Sequence, residues 1–401
     1  MNFIKQAAPL SALGVILSGA SLSKADPTGI PLAALSALSP YQKFIFDLSG
    51  NLYGVEGSSI FELSGPRLQT ESTGVTFKGV GSQLVADSAG NFYLSAANGG
   101  VLGGGGVYML SGTNHQTVTT LGSFSTMDSI GAITSVGYSL VINTSGNIYG
   151  STNPSGGPDG TVYELSGPNH QFISGTVDPS VNVTDLGFDA AGNLLGVSGN
   201  GLYTEILKFN PNQLLGVQTI VTSFAYDGLS QGGSTLDKAG NVYGTLTGGV
   251  TDDGEVFELS GTNDQTFTVL ATFNGSNGST PLAGLTVDAN GNIFGTTSQG
   301  GLYNDGTVFE ISGANHQTFT TLLNYNSGNS NLGLIDGLTA DQYGNLYTGA
   351  GTVSVGAGEV IELTNTGFAV PEPASLAMLG IPAAIALLRR RRGGFAGGRH
   401  V

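Results

Sequence analysis

The 401-residue chain has no cysteine. Disulfides, thiolate metal sites and thiol nucleophiles are therefore excluded, and stability has to come from packing. Charge is also scarce, with Asp, Glu, Lys and Arg together making 10% of the residues. Of the twelve basic residues, seven lie near the ends: Lys5, Lys24, Arg389, Arg390, Arg391, Arg392 and Arg399. Residues 26–388 hold five basic against 28 acidic side chains, a formal charge of −23. A body so acidic repels nucleic acid and anionic lipid. Catalytic signatures are missing as well. The chain has no Gly-x-Ser-x-Gly elbow and no His-Glu-x-x-His motif. The Gly-rich stretch 99–106 lacks the lysine and following helix of a phosphate loop, so it reads as a hairpin linker.

Glycine and repetition are what the chain has in abundance. Its 66 glycines sit mainly between short apolar segments, and hydrophobic residues make 39%, enough for a core. A Gly-Asn pair recurs at Gly50, Gly90, Gly146, Gly192, Gly240, Gly291 and Gly344, with a mean spacing of 49 residues. Three residues before each stands Asp47, Asp87, Asn143, Asp189, Asp237, Asp288 or Asp341. A short side-chain oxygen there accepts from backbone N–H groups and holds a tight turn shut, while Gly and Asn tolerate positive φ. Downstream of each turn, pairs such as Ile60-Phe61, Val256-Phe257 and Val308-Phe309 are followed two positions on by Leu63, Leu259 or Ile311. Apolar residues on both faces of a strand imply burial on both sides, as in a blade held between neighbours. The expected fold is all-β: a seven-bladed β-propeller of four-stranded repeats. The repeat domain spans residues 41–365, and copy four (about 183–224) is the most degenerate. Copy seven lacks an obvious fourth strand. Residues 26–40 resemble a later lead-in and read as a repeat remnant or a ring-closing strand.

The ends are different in kind. Residues 1–25 read as a secretory signal peptide, with Lys5 before a short apolar stretch and cleavage after Ala25. Residues 366–401 contain Pro371-Glu372-Pro373, an apolar run from Leu376 to Leu388, and the arginines Arg389 to Arg392. The run is short for a bilayer span and is broken by Pro382. Its arginines would hold the C-terminus at the cytoplasmic side, so the tail engages the inner membrane, transiently if it is then cleaved and as a weak anchor if it is retained.

The tail VPEPASLAMLGIPAAIALLRRRR resembles a PEP-CTERM sorting signal. That resemblance implies reading of Pro371, Glu372 and Pro373 by an exosortase, a membrane-embedded protease of Gram-negative bacteria. It also implies a surface, envelope or matrix location and a link to exopolysaccharide or other envelope components. The extra GGFAGGRHV after the arginines departs from the family pattern. Units with GNLYG, a Gly-rich loop, GTVFEL and a Thr-rich strand are similar to the GloVer repeats of choice-of-anchor surface proteins. Those proteins imply an exported propeller-like domain without assigned enzymatic activity.

His115, His170 and His316 share one repeat position in Asn-His-Gln turns, and equivalent positions in a ring point apart. They read as turn residues rather than metal ligands. The recurring Glu62, Glu164, Glu258, Glu310 and Glu362 read as outward-facing polar residues near blade edges. No catalytic residue, metal ligand or cofactor is assigned. Calcium on the turn aspartates, or on Asp252-Asp253-Gly254-Glu255 and Asn304-Asp305-Gly306, is the alternative, although neither cluster follows an EF-hand pattern. The functional reading is an exported binding or scaffolding protein. A propeller-fold polysaccharide lyase or glycoside hydrolase is one alternative, and a purely structural envelope protein is the other.

Overall fold

In the computed structural model, the described residues are 27–370, apart from 39–41, 69, 113–114, 126–132, 155–160, 168–169, 175–182, 190, 200–203, 210–218, 225–234, 238–240, 249–250, 261–265, 329–331 and 353–355. The signal segment with Ala25, the motif Pro371–Pro373 and the arginines Arg389–Arg392 lie outside them.

The local unit is the hairpin around each Gly-Asn pair. In the second repeat Asp87 Oδ1 accepts from the N–H groups of Ala89 (2.9 Å) and Asn91 (2.8 Å). Gly90 completes the turn at φ +83°, in the left-handed region where a side chain is strained. The strand leaving this turn is followed by a doubly buried one. In Ser59–Ser64, for example, Ile60, Phe61 and Leu63 are buried while Glu62 is half-buried. The glycine inside the second strand has a steric cause. A Cβ on Gly295 would lie 2.4 Å from the ring of Phe309, its cross-strand partner, so the aromatic lies across a bare backbone.

Seven such units form the seven blades of a β-propeller. Five are separate four-stranded antiparallel sheets, running through residues 80–125, 133–174, 183–224, 235–272 and 286–324. These are blades 2 to 6. Blade 1 comprises Ile45–Phe46, Leu52–Glu56, Ser59–Ser64 and Thr70–Thr76. Blade 7 takes Thr339–Ala340, Leu346–Gly351 and Gly356–Thr364 from the C-terminal end. Its fourth strand is Thr28–Leu38, which runs antiparallel to Gly356–Thr364 from Thr28↔Thr364 to Leu38↔Gly356. A short strand, Gly333–Leu334, also pairs with Leu346–Gly351, and a single further pairing, Leu38↔Glu56, joins blades 7 and 1 into one nine-stranded sheet.

The apolar core is divided by seam. Seven clusters each join one blade to the next: Tyr53, Val55 and Ile60 meet Leu84, Phe92 and Leu94, for instance, and Phe294 and Val308 meet Leu346 and Ile361. The cluster of Phe44, Phe61, Leu63, Tyr347 and Val360 covers the seam between blades 7 and 1. Seven seams among seven blades require a closed ring; an open array would have six. First strands of consecutive blades approach one another, which places them around the axis.

Strand direction then sorts the loops. Turns from first to second strand and from third to fourth strand share one face of the ring, here the turn face. Loops from second to third strand lie on the other. Thr28 and Thr364 are paired at the turn face, so both ends of the propeller leave from it.

Candidate functional site

The turn aspartates stand apart from one another, one per blade, each within its own hairpin. Asp47, Asp87, Asp189, Asp237, Asp288 and Asp341 each accept the backbone N–H and the side-chain amide of the Asn four residues on. A third partner is a tyrosine two residues further along. Tyr53, Tyr93, Tyr243 and Tyr347 donate their hydroxyls to Asp47, Asp87, Asp237 and Asp341. Burial pushes the Asp87 carboxyl up, but the bonds from Asn91, Tyr93 and Ala89 outweigh it and hold it below its ordinary range. Asn143 keeps the two backbone contacts, and the Asn147 amide turns instead to Glu164 (2.9 Å).

The third-strand glutamates do not face outward as expected. Each pairs across the sheet with the aromatic after the turn, as Tyr149↔Glu164 and Tyr347↔Glu362 do, so its side chain lies beside that ring. Glu164 is buried, and Tyr347 donates to Glu362 at 2.8 Å. In blade 4 a lysine holds this place, and Lys208 pairs with Asp189. Burial and then the Lys208 hydrogen bond act on Asp189 in opposite senses; the lysine, with Asn193, prevails and lowers its pKa.

The histidines do more than turn the chain. His115, in blade 2, stacks on Phe92 at 3.7 Å and meets Tyr53 of blade 1 edge-on at 5.0 Å. Its Nε2–H donates to the Gly90 carbonyl (2.9 Å). His170 of blade 3 reaches the Tyr93 hydroxyl of blade 2 (3.2 Å). His316 of blade 6 donates to Gly291 (2.9 Å) and lies against Tyr243 of blade 5. Each imidazole thus plugs the seam with the preceding blade. The cue in the sequence was their shared place in Asn-His-Gln turns, about 22 residues after the aromatic that follows each Gly-Asn turn.

Blade 1 lacks the plug. Its turn reads Gly65-Pro66-Arg67-Leu68, where blade 2 has Gly112 to His115. Leu68 N donates to Gly65 as His115 N does to Gly112. The seam between blades 7 and 1, with Leu68 at its edge, holds a cavity of about 480 Å³ on the turn face. Asp47, Leu48, Arg67, Asp341, Tyr343, Tyr347 and Glu362 line it. Tyr343 is 79% and Leu48 97% exposed at its rim. The Tyr347 hydroxyl is held protonated well above its ordinary range, first by burial and then by its bond to Glu362 and the Asp341 charge. The cavity therefore offers a fixed hydroxyl, carboxylate acceptors, one guanidinium and an exposed ring. This site was not found in the sequence, although Leu68 at a histidine position marked it.

Among the described residues, no three His, Asp or Glu side chains gather in a metal-binding arrangement. Asp305 Oδ2 instead accepts the Ser327 N–H and hydroxyl, both at 3.0 Å. Nor do the described residues contain a helix long and apolar enough to cross a membrane.

Residues 369–392 match the PEP-CTERM protein-sorting motif. The motif implies export to the cell envelope of a Gram-negative bacterium and processing by an exosortase. No curated protein matches the chain. Among solved structures, a streptogramin B lyase is similar with a TM-score of 0.60 at 11% identity, over 86% of this chain and 99% of its own. The virginiamycin B lyase of Staphylococcus aureus follows at TM-score 0.54 and 9% identity, over 83% and 98%. A protein from Lactobacillus plantarum is similar at 0.51 and 13%, over 72% and 85%. At these identities the likeness shows the propeller fold alone.

Proposed function

We propose that this is a surface or extracellular-matrix protein whose propeller binds or scaffolds exopolysaccharide through the cavity between blades 7 and 1. In this reading residues 1–25 direct export and Pro371-Glu372-Pro373 mark the processing site. The observation that carries it is the cavity itself, at the seam where Leu68 stands in the turn position that holds histidine in blades 2, 3 and 6, with an exposed tyrosine at its rim. Its volume suits a sugar unit or two. A tyrosine ring and fixed hydroxyl and carboxylate groups are the surfaces a saccharide uses, apolar face to ring and hydroxyls to acceptors. Binding is favoured over cleavage. Asp47 and Asp341 are engaged in their turns, and the Tyr347 hydroxyl is bonded to Asp341 and Glu362. Cleavage of polysaccharide by a lyase or glycoside hydrolase of this fold is the alternative.

The test is retention of the protein on immobilised polysaccharides from the host envelope, with released oligosaccharide measured in parallel. Wild type should be retained without release. Tyr343→Ala and the plug-restoring Leu68→His should each lose retention while folding normally. Release of oligosaccharide would favour the lyase or hydrolase reading. Undiminished retention by both variants would remove the cavity as the site.

A further inference from the structure

The last described residues do not simply leave the ring. After Thr364 the chain turns through Asn365 and Gly367, both at positive φ, and crosses to the neighbouring blade 6. Thr366, buried, donates its hydroxyl to the Gly344 carbonyl (2.9 Å), in the manner of the plug histidines. Phe368 packs on Phe294 with ring centroids 5.1 Å apart. Ala369 then forms two bonds with the blade 6 turn. Its carbonyl accepts from Ala289 N (2.8 Å), and its N–H donates to Asp288 Oδ2 (3.1 Å). The boundary expected at residue 365 is thus crossed, and the propeller's contacts run into the first residue of the sorting motif.

Blade 6 is built to accept this segment. In blades 1, 2, 5 and 7 the outer carboxylate oxygen of the turn aspartate takes a tyrosine hydroxyl. Blade 6 has Phe294 at that place, which leaves Asp288 Oδ2 open to Ala369 and offers a bare ring to Phe368. One substitution within the repeat supplies both halves of a docking site.

We propose that residues 365–370 are a clasp whose release from blade 6 controls processing of the sorting motif, a proposal that rests on the exosortase reading above. With the clasp shut, Pro371 lies at most about 7 Å of chain from Ala369, and Leu376 at most about 25 Å. Any enzyme at the membrane surface would then have to work against the turn face. That face carries the carboxylates of Asp47, Asp87, Asp189, Asp237, Asp288 and Asp341, and anionic lipid repels it. Opening back to Thr364 adds about 17 Å of reach and frees the motif from that face. The clasp thus keeps the motif withheld until it opens, and cleavage is limited by the open fraction.

The experiment follows the C-terminus of the full chain in its native host by pulse-chase and mass spectrometry. Two variants act in opposite directions. Phe294→Tyr places a hydroxyl on Asp288 Oδ2, as in four other blades, and displaces Ala369. Loss of that one bond should raise the open fraction, and with it the processing rate, about fivefold. The pair A289C/A369C, in a chain with no other cysteine, locks the clasp when oxidised outside the cytoplasm. The locked form should keep residues 376–392, and added reductant should restore cleavage. Cleavage of the locked form at the wild-type rate, or an unchanged rate for Phe294→Tyr, overturns the clasp. If wild type is not cleaved at all, the exosortase reading itself has failed and the control fails with it. If the reduced pair resists cleavage as well, the substitutions themselves are the cause, and Phe294→Tyr decides alone.

Discussion

Changing one turn aspartate to asparagine should cost different amounts in different blades, because the same amide finds different surroundings. In Asp87→Asn the remaining carbonyl oxygen keeps the N–H bonds of Ala89 and Asn91. The new NH₂ group cannot accept from the Asn91 amide or the Tyr93 hydroxyl, both 2.8 Å from Asp87 Oδ2. Blade 3 shows how such a loss is relieved, since Asn147 turns to Glu164 when the aspartate is Asn143. Blade 2 lacks that escape, because Met109 occupies the glutamate place opposite Tyr93. Two charge-assisted bonds are lost at a half-buried site, so Asp87→Asn should cost about 2 kcal/mol. Asp341→Asn has Glu362 at hand, and its cost should be about 1 kcal/mol. Urea unfolding of the purified protein, read by far-UV circular dichroism, measures both. Chelator should leave all midpoints unmoved if no calcium sits in the turns. Equal losses in the two variants, or a larger loss for Asp341→Asn, would refute the reasoning.

Other outcomes follow from the same geometry. Asp87 and Asp189 are held below the ordinary carboxylate value of 3.8, so the stability they contribute is complete above that value. It is lost as pH falls from there through their folded values, and Asp87→Ala together with Asp189→Ala should flatten the acid limb of a stability–pH curve. His115→Ala removes a buried plug stacked on Phe92 and should cost about 3 kcal/mol in the same urea assay. Gly295→Ala drives a methyl group into the Phe309 ring, and its thermal midpoint should fall by several degrees.

The fold was legible because its signals repeat. Seven Gly-Asn turns and seven doubly apolar third strands recur at a mean spacing of 49 residues, and each copy corroborates the others. Ring closure was harder to read, because the closing strand Thr28–Leu38 has no turn motif and pairs with residues more than 300 positions away. Single exceptions were harder still. Leu68 lines the cavity and Phe294 receives the clasp, each an ordinary apolar residue whose place is seen only beside its counterparts in other blades. The glutamates were misjudged for a related reason. Periodicity gives the face a side chain occupies, but not that a tyrosine hydroxyl or an asparagine amide waits there.

An exported propeller released at its sorting motif carries a defined C-terminus. Mass spectrometry of the mature surface protein from its native host, with and without Glu372→Ala, tests it directly. The wild-type C-terminus should lie at or near Pro371-Glu372-Pro373, and the variant should keep residues 376–392. Finding Leu376 to Arg392 still attached to the wild-type surface form would contradict it.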